Sequence, residues 1–364
     1  MKRWLVVSLF LLGCTDESRI VNDCQAVGNL VPLCGWQRPE DMELLPDGEH
    51  IIVSEMEEHH GAIAGSIALL RVSDSNKLRL DHTQVDVTQD WGSDQCNEPP
   101  PTNFAPHGIH LSKRLDQRWQ LLVVNHGGRE AVEFYQVLAA DDGYRLLWKG
   151  CVEPPQGSFL NDIVAVTGGG FVANHMFTKT DDRLGSLSVS EIKALLGFNP
   201  GHVLQWDGTT FTKLPGLSGR YNNGIEVSSD GNTLFVNYWG GSKLIKYDLA
   251  TQTVLDEVEI VHPDNSQWNT AGQLLVASHN FSVADMYMCM TQKLRACPGE
   301  FSIVSVDPES LEITTILRHD GKPMGAVTVA LQVQDFLYMG SFIGDRIVRV
   351  PYIGNKVVLD SVAK

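Results

Sequence analysis

Short alternating runs of hydrophobic and polar residues dominate the chain, and no long stretch has the 3.6-residue periodicity of an amphipathic helix. Six runs share one form, in which a polar start, an alternating strand and a turn lead to a second strand that usually ends in a polar or aromatic residue. They begin at Glu40, His107, Asn161, Asn223, Asp264 and Gly325, so the starts lie 67, 54, 62, 41 and 61 residues apart. This spacing is the size of a four-stranded blade with variable loops. The pattern predicts an all-β fold, a six-bladed β-propeller.

Polar residues cluster at the ends of these strands. In a propeller the first strands of all blades run the same way along a central channel, and the second strands return antiparallel to them. Strand starts and second-strand ends should therefore meet at one mouth. The starts supply Glu40, Asp41, His107, Asn161, Asp162, Asn223, Asp264 and Asn265, and the ends supply Glu55, His126, His175 and His279. Asp and Asn are common turn residues, but convergence from five blades predicts a functional site.

One segment departs from the strand pattern. Ser188 and Glu191 have the spacing of a capping box, apolar residues follow, and Gly197 supplies a stop signal. We expect a short helix near residues 188–197. Because it follows His175, it should lie near the mouth, either as a lid or as a surface helix on the blade edge.

Size and charge limit the class of protein. The 364 residues include 33 Gly and 16 Pro, and the formal net charge is −16. This composition is globular and rich in turns, and the negative charge argues against a nucleic-acid partner. We expect one propeller domain over residues 36–364, preceded by a tether and closure segment over residues 14–35.

The first 13 residues have the features of an export signal. Lys2 and Arg3 precede an apolar stretch, Trp4–Leu12, that is too short to span a bilayer. It ends at Leu11-Leu12-Gly13-Cys14, which resembles a bacterial lipobox. Cys14 would then be the lipidated N-terminus, and Thr15 after it favours an outer-membrane lipoprotein facing the periplasm. The alternative is an ordinary secretory signal cleaved nearby, with Cys14 incidental.

Six further cysteines form an even set, which favours disulfides in an exported chain. The most local of the 15 possible pairings is Cys24–Cys34, Cys96–Cys151 and Cys289–Cys297. No Cys-x-x-Cys occurs, so zinc held by thiolates is not expected.

The donor types at the mouth favour calcium. Carboxylates and amide carbonyls without thiolate are hard oxygen ligands. A calcium ion with an open position polarises a carbonyl, and a nearby histidine can take a proton from water near neutral pH. A metal ion with a histidine base hydrolyses acyl groups without a covalent serine. Consistent with this, the sequence has no Gly-x-Ser-x-Gly and no His-Glu-x-x-His. The pair His59-His60 is interpreted as a solvated loop in preference to a second metal site.

Six stretches, in order, resemble the paraoxonase/arylesterase family within the wider gluconolactonase-like propellers. They are Pro39–Pro46, Pro106–Ile109, Val123–His126, Leu160–Val166, Asn223–Ile225 and Asp264–Asn265, and the resemblance covers roughly residues 36–352. It implies a calcium-dependent hydrolase of lactones or aryl esters with two calcium ions in the channel.

The resemblance also implies roles for individual residues. A catalytic calcium would be held by Glu40, Asn161, Asn223, Asp264 and Asn265. A structural calcium would be held by Asp41, Asp162 and the backbone carbonyl of Ile109. His107 would be the general base with His126 behind it, although the sequence leaves open which of the two acts. His175 and His279 would line the substrate pocket, and we expect Phe342 of the sixth blade in the substrate wall.

The chain also departs from the family. The animal enzymes join their terminal regions by a disulfide, whereas the last cysteine here is Cys297. Their apolar N-terminus is replaced by the lipobox-like segment, so we expect membrane association through a lipid. The segment between His175 and Asn223 matches the family lid helix poorly, which makes substrate choice the least transferable inference.

Two other hypotheses remain. A gluconolactonase-like sugar lactonase would use a single metal, but the paired Glu40-Asp41 and Asn161-Asp162 supply more ligands than one ion needs. A propeller that only binds a ligand would use calcium for structure, but such a site has no use for His107 and His126 above the ion.

Overall fold

The computed structural model describes residues 21–57, 63–86, 90–141, 143–166, 168–184, 187–282, 285–286, 288–289 and 295–359. The predicted signal peptide, Cys14 and the His59-His60 pair lie outside these residues.

Six antiparallel sheets form the fold, and each run found in the sequence supplies the first two strands of one sheet. The first blade contains β2 (Pro39–Leu44), β3 (His50–Glu55), β4 (Ser66–Arg71) and β5 (Lys77–Arg79). The second contains β6 (Pro106–Lys113), β7 (Trp119–Asn125), β8 (Ala131–Ala140) and β9 (Gly143–Val152). The third contains β10 (Leu160–Ala165), β11 (Phe171–His175), β14 (Gly201–Trp206) and β15 (Phe211–Gly219).

The remaining blades follow the same order from the channel outward. The fourth contains β16 (Asn222–Val227), β17 (Thr233–Tyr238), β18 (Lys243–Asp248) and β19 (Thr253–Glu259). The fifth contains β20 (Pro263–Trp268), β21 (Leu274–His279), β22 (Phe301–Val306) and β23 (Ile313–His319). The sixth contains β24 (Val327–Val333), β25 (Phe336–Ser341), β26 (Arg346–Ile353) and the N-terminal β1 (Val31–Cys34), and β27 (Lys356–Val357) is added to β26.

The first strands of successive blades contact one another around the channel, and β24 returns to β2. Apolar clusters fill the spaces between blades, because each sheet buries both faces against its neighbours. One cluster joins Met42 and Val53 of the first blade to Val329 and Tyr338 of the sixth. The six-bladed β-propeller predicted from the strand pattern is confirmed.

Backbone pairing closes the ring. Strand β1 runs antiparallel to β26, with Cys34 opposite Arg346. The fully buried Arg346 side chain donates to the carbonyl of Asp23 over 2.7 Å, which fixes the segment before β1 to the last blade. The N-terminal region is therefore held to the last blade by strand pairing and this arginine.

A short insertion joins the second and third strands of the third blade. It contains β12 (Arg183–Leu184), β13 (Leu187–Ser188) and the helix α1 (Val189–Leu195). The predicted capping box is present, since Glu191 N donates to Ser188 Oγ over 3.1 Å and Ser188 N donates to Glu191 Oε2 over 3.3 Å. Gly197 has the positive φ of a helix stop, 82°. Ala194 packs against Met176 and Phe177 just beyond the end of β11, which places the helix beside the mouth.

Three disulfides are present, and they are the most local pairing: Cys24–Cys34, Cys96–Cys151 and Cys289–Cys297. Disulfides persist in oxidising compartments, so they indicate an exported protein. Within the described part of the chain, no helix has the length and apolar character needed to cross a membrane.

The disulfides should differ in their effect on stability. Cys96–Cys151 spans 55 residues and Cys24–Cys34 spans 10. A loop-entropy model gives about 4 kcal/mol for the longer loop and about 3 kcal/mol for the shorter one. We expect the double variant Cys96→Ser/Cys151→Ser to lose more unfolding free energy in urea than Cys24→Ser/Cys34→Ser. Equal losses would contradict the loop-length explanation.

Candidate active site

Each of the six inner strands has an irregular register near its start. The shifts lie between Pro39 and Asp41, Pro106 and Ile109, Leu160 and Ile163, Asn222 and Ile225, Pro263 and Ser266, and Val327 and Val329. A regular strand sends consecutive side chains to opposite faces, whereas a bulge re-aims them. Consecutive residues can therefore both reach neighbouring blades. Asn265 Nδ2 donates to Glu40 Oε1 over 2.9 Å, and Ile109 N donates to Asp41 Oδ2 over 2.8 Å.

Small residues alternate with polar pairs around the ring. The first, third and fifth blades carry Glu40-Asp41, Asn161-Asp162 and Asp264-Asn265, whereas the second and fourth carry glycine at Gly108 and Gly224. A Cβ on Gly108 would lie 2.5 Å from Asn161 O, and one on Gly224 would lie 2.4 Å from Asp264 O. These glycines therefore let the next polar pair approach closely.

The predicted ligands from five blades come together at the mouth. His107 Nε2 lies 3.8 Å from Glu40 Oε1 and 3.5 Å from Asn161 Nδ2. Asp264 is hydrogen-bonded by Asn223 and lies 3.5 Å from His279 Nε2. Glu55, by contrast, forms an ion pair with Lys77 and accepts from Ser66 Oγ.

Four of the proposed ligands have a buried oxygen without a hydrogen-bond partner: Glu40 Oε2, Asn161 Oδ1, Asn223 Oδ1 and Asn265 Oδ1. Buried oxygens are normally satisfied, so four at one place need an explanation. Among the described residues, no three His, Cys, Asp or Glu side chains form a metal-binding group by themselves. A cation donor set at this place would therefore have to include the asparagine oxygens, and carboxylate and amide oxygens are ligands that calcium accepts.

The carboxylates of Asp41 and Asp162 are bonded differently from these four residues. Asp162 Oδ2 accepts from Ile225 N and Oδ1 accepts from Ile163 N, both over 2.8 Å. Asp41 makes equivalent bonds to Ile109 N and Met42 N. Each carboxylate therefore binds the inner strand of the next blade, Asp41 that of the second blade and Asp162 that of the fourth. Each oxygen also retains a lone pair that could face a second ion.

Buried negative charge dominates the channel. Burial raises the pKa of Glu40 well above its usual range, and the charges of Asp41 and Asp264 raise it further. Burial likewise raises the pKa of Asp41 to about 7, and it raises those of Asp162 and Asp264 well above their usual range. Among the described residues, none of these four carboxylates forms an ion pair with lysine or arginine. A bound cation would remove this cost.

Two histidines stand beside the unpartnered oxygens. His107 Nδ1 lies 2.9 Å from His126 Nε2, and the Nε2 atom of His107 faces Glu40 and Asn161. Burial lowers the pKa of His107 well below its usual value, and His126 and Arg38 lower it further. His107 is therefore neutral at neutral pH and can accept a proton.

His175 and His279 are almost fully buried, and the ring nitrogens of both have hydrogen-bond partners. Phe159 N donates to His175 Nδ1 over 3.2 Å. Trp239 Nε1 donates to His279 Nδ1 over 3.0 Å, while His279 Nε2 lies 3.0 Å from the Val327 carbonyl oxygen. Burial lowers the pKa of each histidine to about 3, so both are neutral. Their direct contact with a substrate stays a prediction.

Aromatic rings form a chain around the mouth from the second blade to the sixth. Phe159 stacks on His126 with ring centroids 4.3 Å apart, and Phe342 lies 5.9 Å from His279. Between these ends, successive ring centroids lie within 6.3 Å of each other: Phe159, Phe177, Tyr221, Trp239 and His279. Phe159, Tyr221 and Phe342 are half-buried, whereas Phe177, Trp239 and His279 are buried. Lys179 Nζ lies 4.8 Å from the centre of the Phe159 ring.

Sequence reasoning missed the side chains that clamp one blade to the next. Ser54 Oγ donates to His107 O over 2.5 Å, and Thr328 Oγ1 donates to Glu40 O over 2.6 Å. Asn174 Nδ2 donates to Gly224 O over 2.9 Å, and Asn237 Nδ2 bonds both Asp264 O and Ser266 Oγ. The signal was present, because an asparagine recurs as the last residue or the one before it in three second strands, at Asn125, Asn174 and Asn237.

Solved structures with a similar fold include a luciferin-regenerating enzyme, with a TM-score of 0.52, 12% identity, and coverage of 90% of this chain and 95% of that chain. A gluconolactonase from Xanthomonas campestris has a TM-score of 0.51 and 16% identity, with coverage of 91% and 96%. A putative gluconolactonase has a TM-score of 0.50 and 12% identity, with coverage of 95% and 98%. At these identities the likeness shows the fold alone. None of the curated proteins matches the sequence.

A family model is more specific than these structures. The model described as Arylesterase matches residues 40–348, which include the inner strand of every blade and the whole ring of polar residues at the mouth. The chain therefore belongs to the arylesterase family.

Proposed function

We propose that this protein is a calcium-dependent hydrolase of lactones or aryl esters in which His107 is the general base. Family membership supports an esterase- or lactonase-type hydrolase. The observation that carries the finer proposal is the position of His107 Nε2, which faces Glu40 and Asn161 while Nδ1 contacts His126. A purely structural cation site would need no histidine pair beside it.

Calcium fits the oxygens that the chain presents. Glu40, Asn161, Asn223, Asp264 and Asn265 would hold the reactive ion, and Asp41, Asp162 and the Ile109 carbonyl would hold a deeper one. Four unpartnered oxygens and the raised carboxyl pKa values support this assignment. When bound, the ion supplies a Lewis acid that stabilises negative charge on a substrate carbonyl oxygen.

His107 and His126 would transfer the proton of the attacking water. His107 Nε2 accepts a proton from water as the water oxygen attacks the carbonyl carbon, and the pair with His126 shares the developing positive charge. The same proton then passes to the departing phenoxide or alkoxide, so water and an aryl ester give an acid and a phenol. From a lactone the two products are one hydroxy acid.

The aromatic chain around the mouth supports a substrate with an apolar or aromatic part. Stacked and edge-on rings favour flat apolar groups. Phe342 lies at one end of this chain and Phe159 at the other. These rings would bind the remote part of the substrate, and the polar ring beneath would hold the reacting carbonyl.

We also propose that Cys14 anchors the protein to the bacterial outer membrane through a lipid. The lipobox-like residues before Cys14 support this anchor, and the disulfides support export. The negatively charged chain would then reach the membrane through the lipid alone.

Removal of calcium should abolish hydrolysis of aryl esters and lactones. It should also lower the melting temperature by about 5 °C, which is the stabilisation expected when the calcium concentration is roughly 100 times the dissociation constant. Activity on a small substrate panel and scanning calorimetry, each with and without chelator, measure this. Glu40→Gln should shrink the calcium-induced shift, whereas Glu43→Gln, three residues along the same strand, should keep it. Activity that survives chelation would refute the calcium mechanism, and no activity on any substrate would favour a binding protein.

His107→Gln should lower turnover by about 10²-fold or more, because the general base is lost while the oxygen ligands remain. Calcium affinity, measured by calorimetry, should change little. His110→Gln is the matched control, since His110 lies on the same strand and contacts Glu43 instead of the mouth residues. Equal loss of calcium affinity and turnover in His107→Gln would mean that His107 is structural.

Cys14→Ser should prevent incorporation of labelled palmitate in bacteria and release the protein from the outer-membrane fraction. The double variant Cys24→Ser/Cys34→Ser is the control, because it removes two other cysteines without touching the anchor. Unchanged labelling of Cys14→Ser would show that Cys14 is incidental to an ordinary secretory signal.

A further inference from the structure

We propose that Glu130 is a positioning residue that fixes the ring tautomers of His126 and His107, and so determines which nitrogen of His107 is free to act as the base. The inference rests on the proposed function, because it assigns a role within the same histidine pair. Glu130 was not among the residues selected from the sequence.

A continuous line of hydrogen bonds runs from the third blade to His107. Leu160 N donates to Glu130 Oε1 over 2.7 Å. Glu130 Oε2 lies 2.9 Å from His126 Nδ1, and His126 Nε2 lies 2.9 Å from His107 Nδ1. Leu160 directly precedes Asn161, so this line starts beside a proposed calcium ligand and ends at the proposed base.

The charged residues next to Glu130 pair with other groups, so the Glu130 carboxylate pairs with His126. The neighbouring Arg129 is committed to Glu133, at 2.9 Å, and Glu133 also accepts from Trp148 Nε1. The one ion pair that Glu130 forms among the described residues is with His126. Phe159 stacks on the His126 ring at an interplanar angle of 21°, which holds the ring plane.

These hydrogen bonds are compatible with one tautomer of His126 and one tautomer of His107. An ionised carboxylate only accepts, so His126 must carry its proton on Nδ1. The neutral ring then has a bare Nε2, which accepts from His107 Nδ1–H. His107 Nε2 is left as a lone pair facing Glu40 and Asn161, where a reacting water would be deprotonated. The carboxylate therefore selects the productive tautomer of a histidine that it does not touch.

Replacing the Glu130 carboxylate by the amide of glutamine should reverse the tautomers of both histidines. Leu160 N–H and His126 Nδ1–H both need an acceptor, but glutamine offers one oxygen. If the oxygen keeps the Leu160 bond, the amide NH₂ faces His126 Nδ1 and drives the proton of that ring to Nε2. His126 then donates to His107 Nδ1, and the proton of His107 moves to Nε2, where the lone pair was needed.

Nitrogen-15 NMR of histidine-labelled protein tests this without substrate, with the ring signals assigned from single His→Gln variants. In the wild type we expect both His126 and His107 to carry the proton on Nδ1. In Glu130→Gln we expect both protons on Nε2, a fall in kcat of about 10²- to 10³-fold and a KM within about twofold. Glu130→Asp keeps two acceptor oxygens and should retain the wild-type tautomers and kcat within about tenfold. Glu153→Gln, an exposed carboxylate away from the dyad, is the control and should change nothing.

Several results would overturn the inference. A wild-type His126 protonated on Nε2 would do so directly, even if Glu130→Gln failed to fold. Unchanged tautomers and kcat in Glu130→Gln, or equal losses in Glu130→Gln and Glu130→Asp, would make Glu130 a structural residue. If the wild type hydrolyses no ester or lactone, the proposed function fails, while the NMR result still decides the role of Glu130.

Discussion

The site depends on the break in strand register at the start of every inner strand. Regular pleating would turn every second side chain away from its neighbour, and a pair such as Glu40-Asp41 could not reach two other blades. The break makes this possible, and the small residues Gly108 and Gly224 give the next pair room to approach. Thr328 takes the corresponding place in the sixth blade and bonds the carbonyl of Glu40. The ring thus alternates between blades that carry a pair of polar residues and blades that carry a small residue, Gly108, Gly224 or Thr328, against the next pair.

Packing and electrostatics oppose each other in this channel. The apolar clusters between blades force the inner strands together, and the ring then buries carboxylates that repel one another. Burying like charges without a counter-ion is among the most costly arrangements in a protein, and the raised carboxyl pKa values express that cost. The amide oxygens of asparagine contribute ligands without adding charge. A divalent cation is the simplest partner for such a set, and it would join the blades as well as serve chemistry.

The blades and the candidate ligands could be predicted because both are local features of the sequence. Alternation and strand starts marked the six inner strands, and the topology of a propeller then brought those starts together. The clamps from Asn174 and Asn237 could not be assigned, since their partners lie in the next blade, about 50 and 27 residues away. Glu130 was missed for the same reason, because its bond to Leu160 N crosses between blades. The deep burial of His279 follows from its contacts with Trp239 and Val327, which no local pattern encodes.

The closure of the sixth blade has a consequence for the order of assembly. Its outermost strand β1 comes from the beginning of the chain, and the pairing of Cys34 with Arg346 joins residues 312 positions apart. Closing so long a loop has the greatest entropic cost, so this pairing should form after the blades themselves. A chain that enters an oxidising compartment from its N-terminus must therefore carry β1 without its partner until β26 arrives. During that interval an open strand edge is exposed, and the last synthesised blade both completes the ring and removes this site of aggregation.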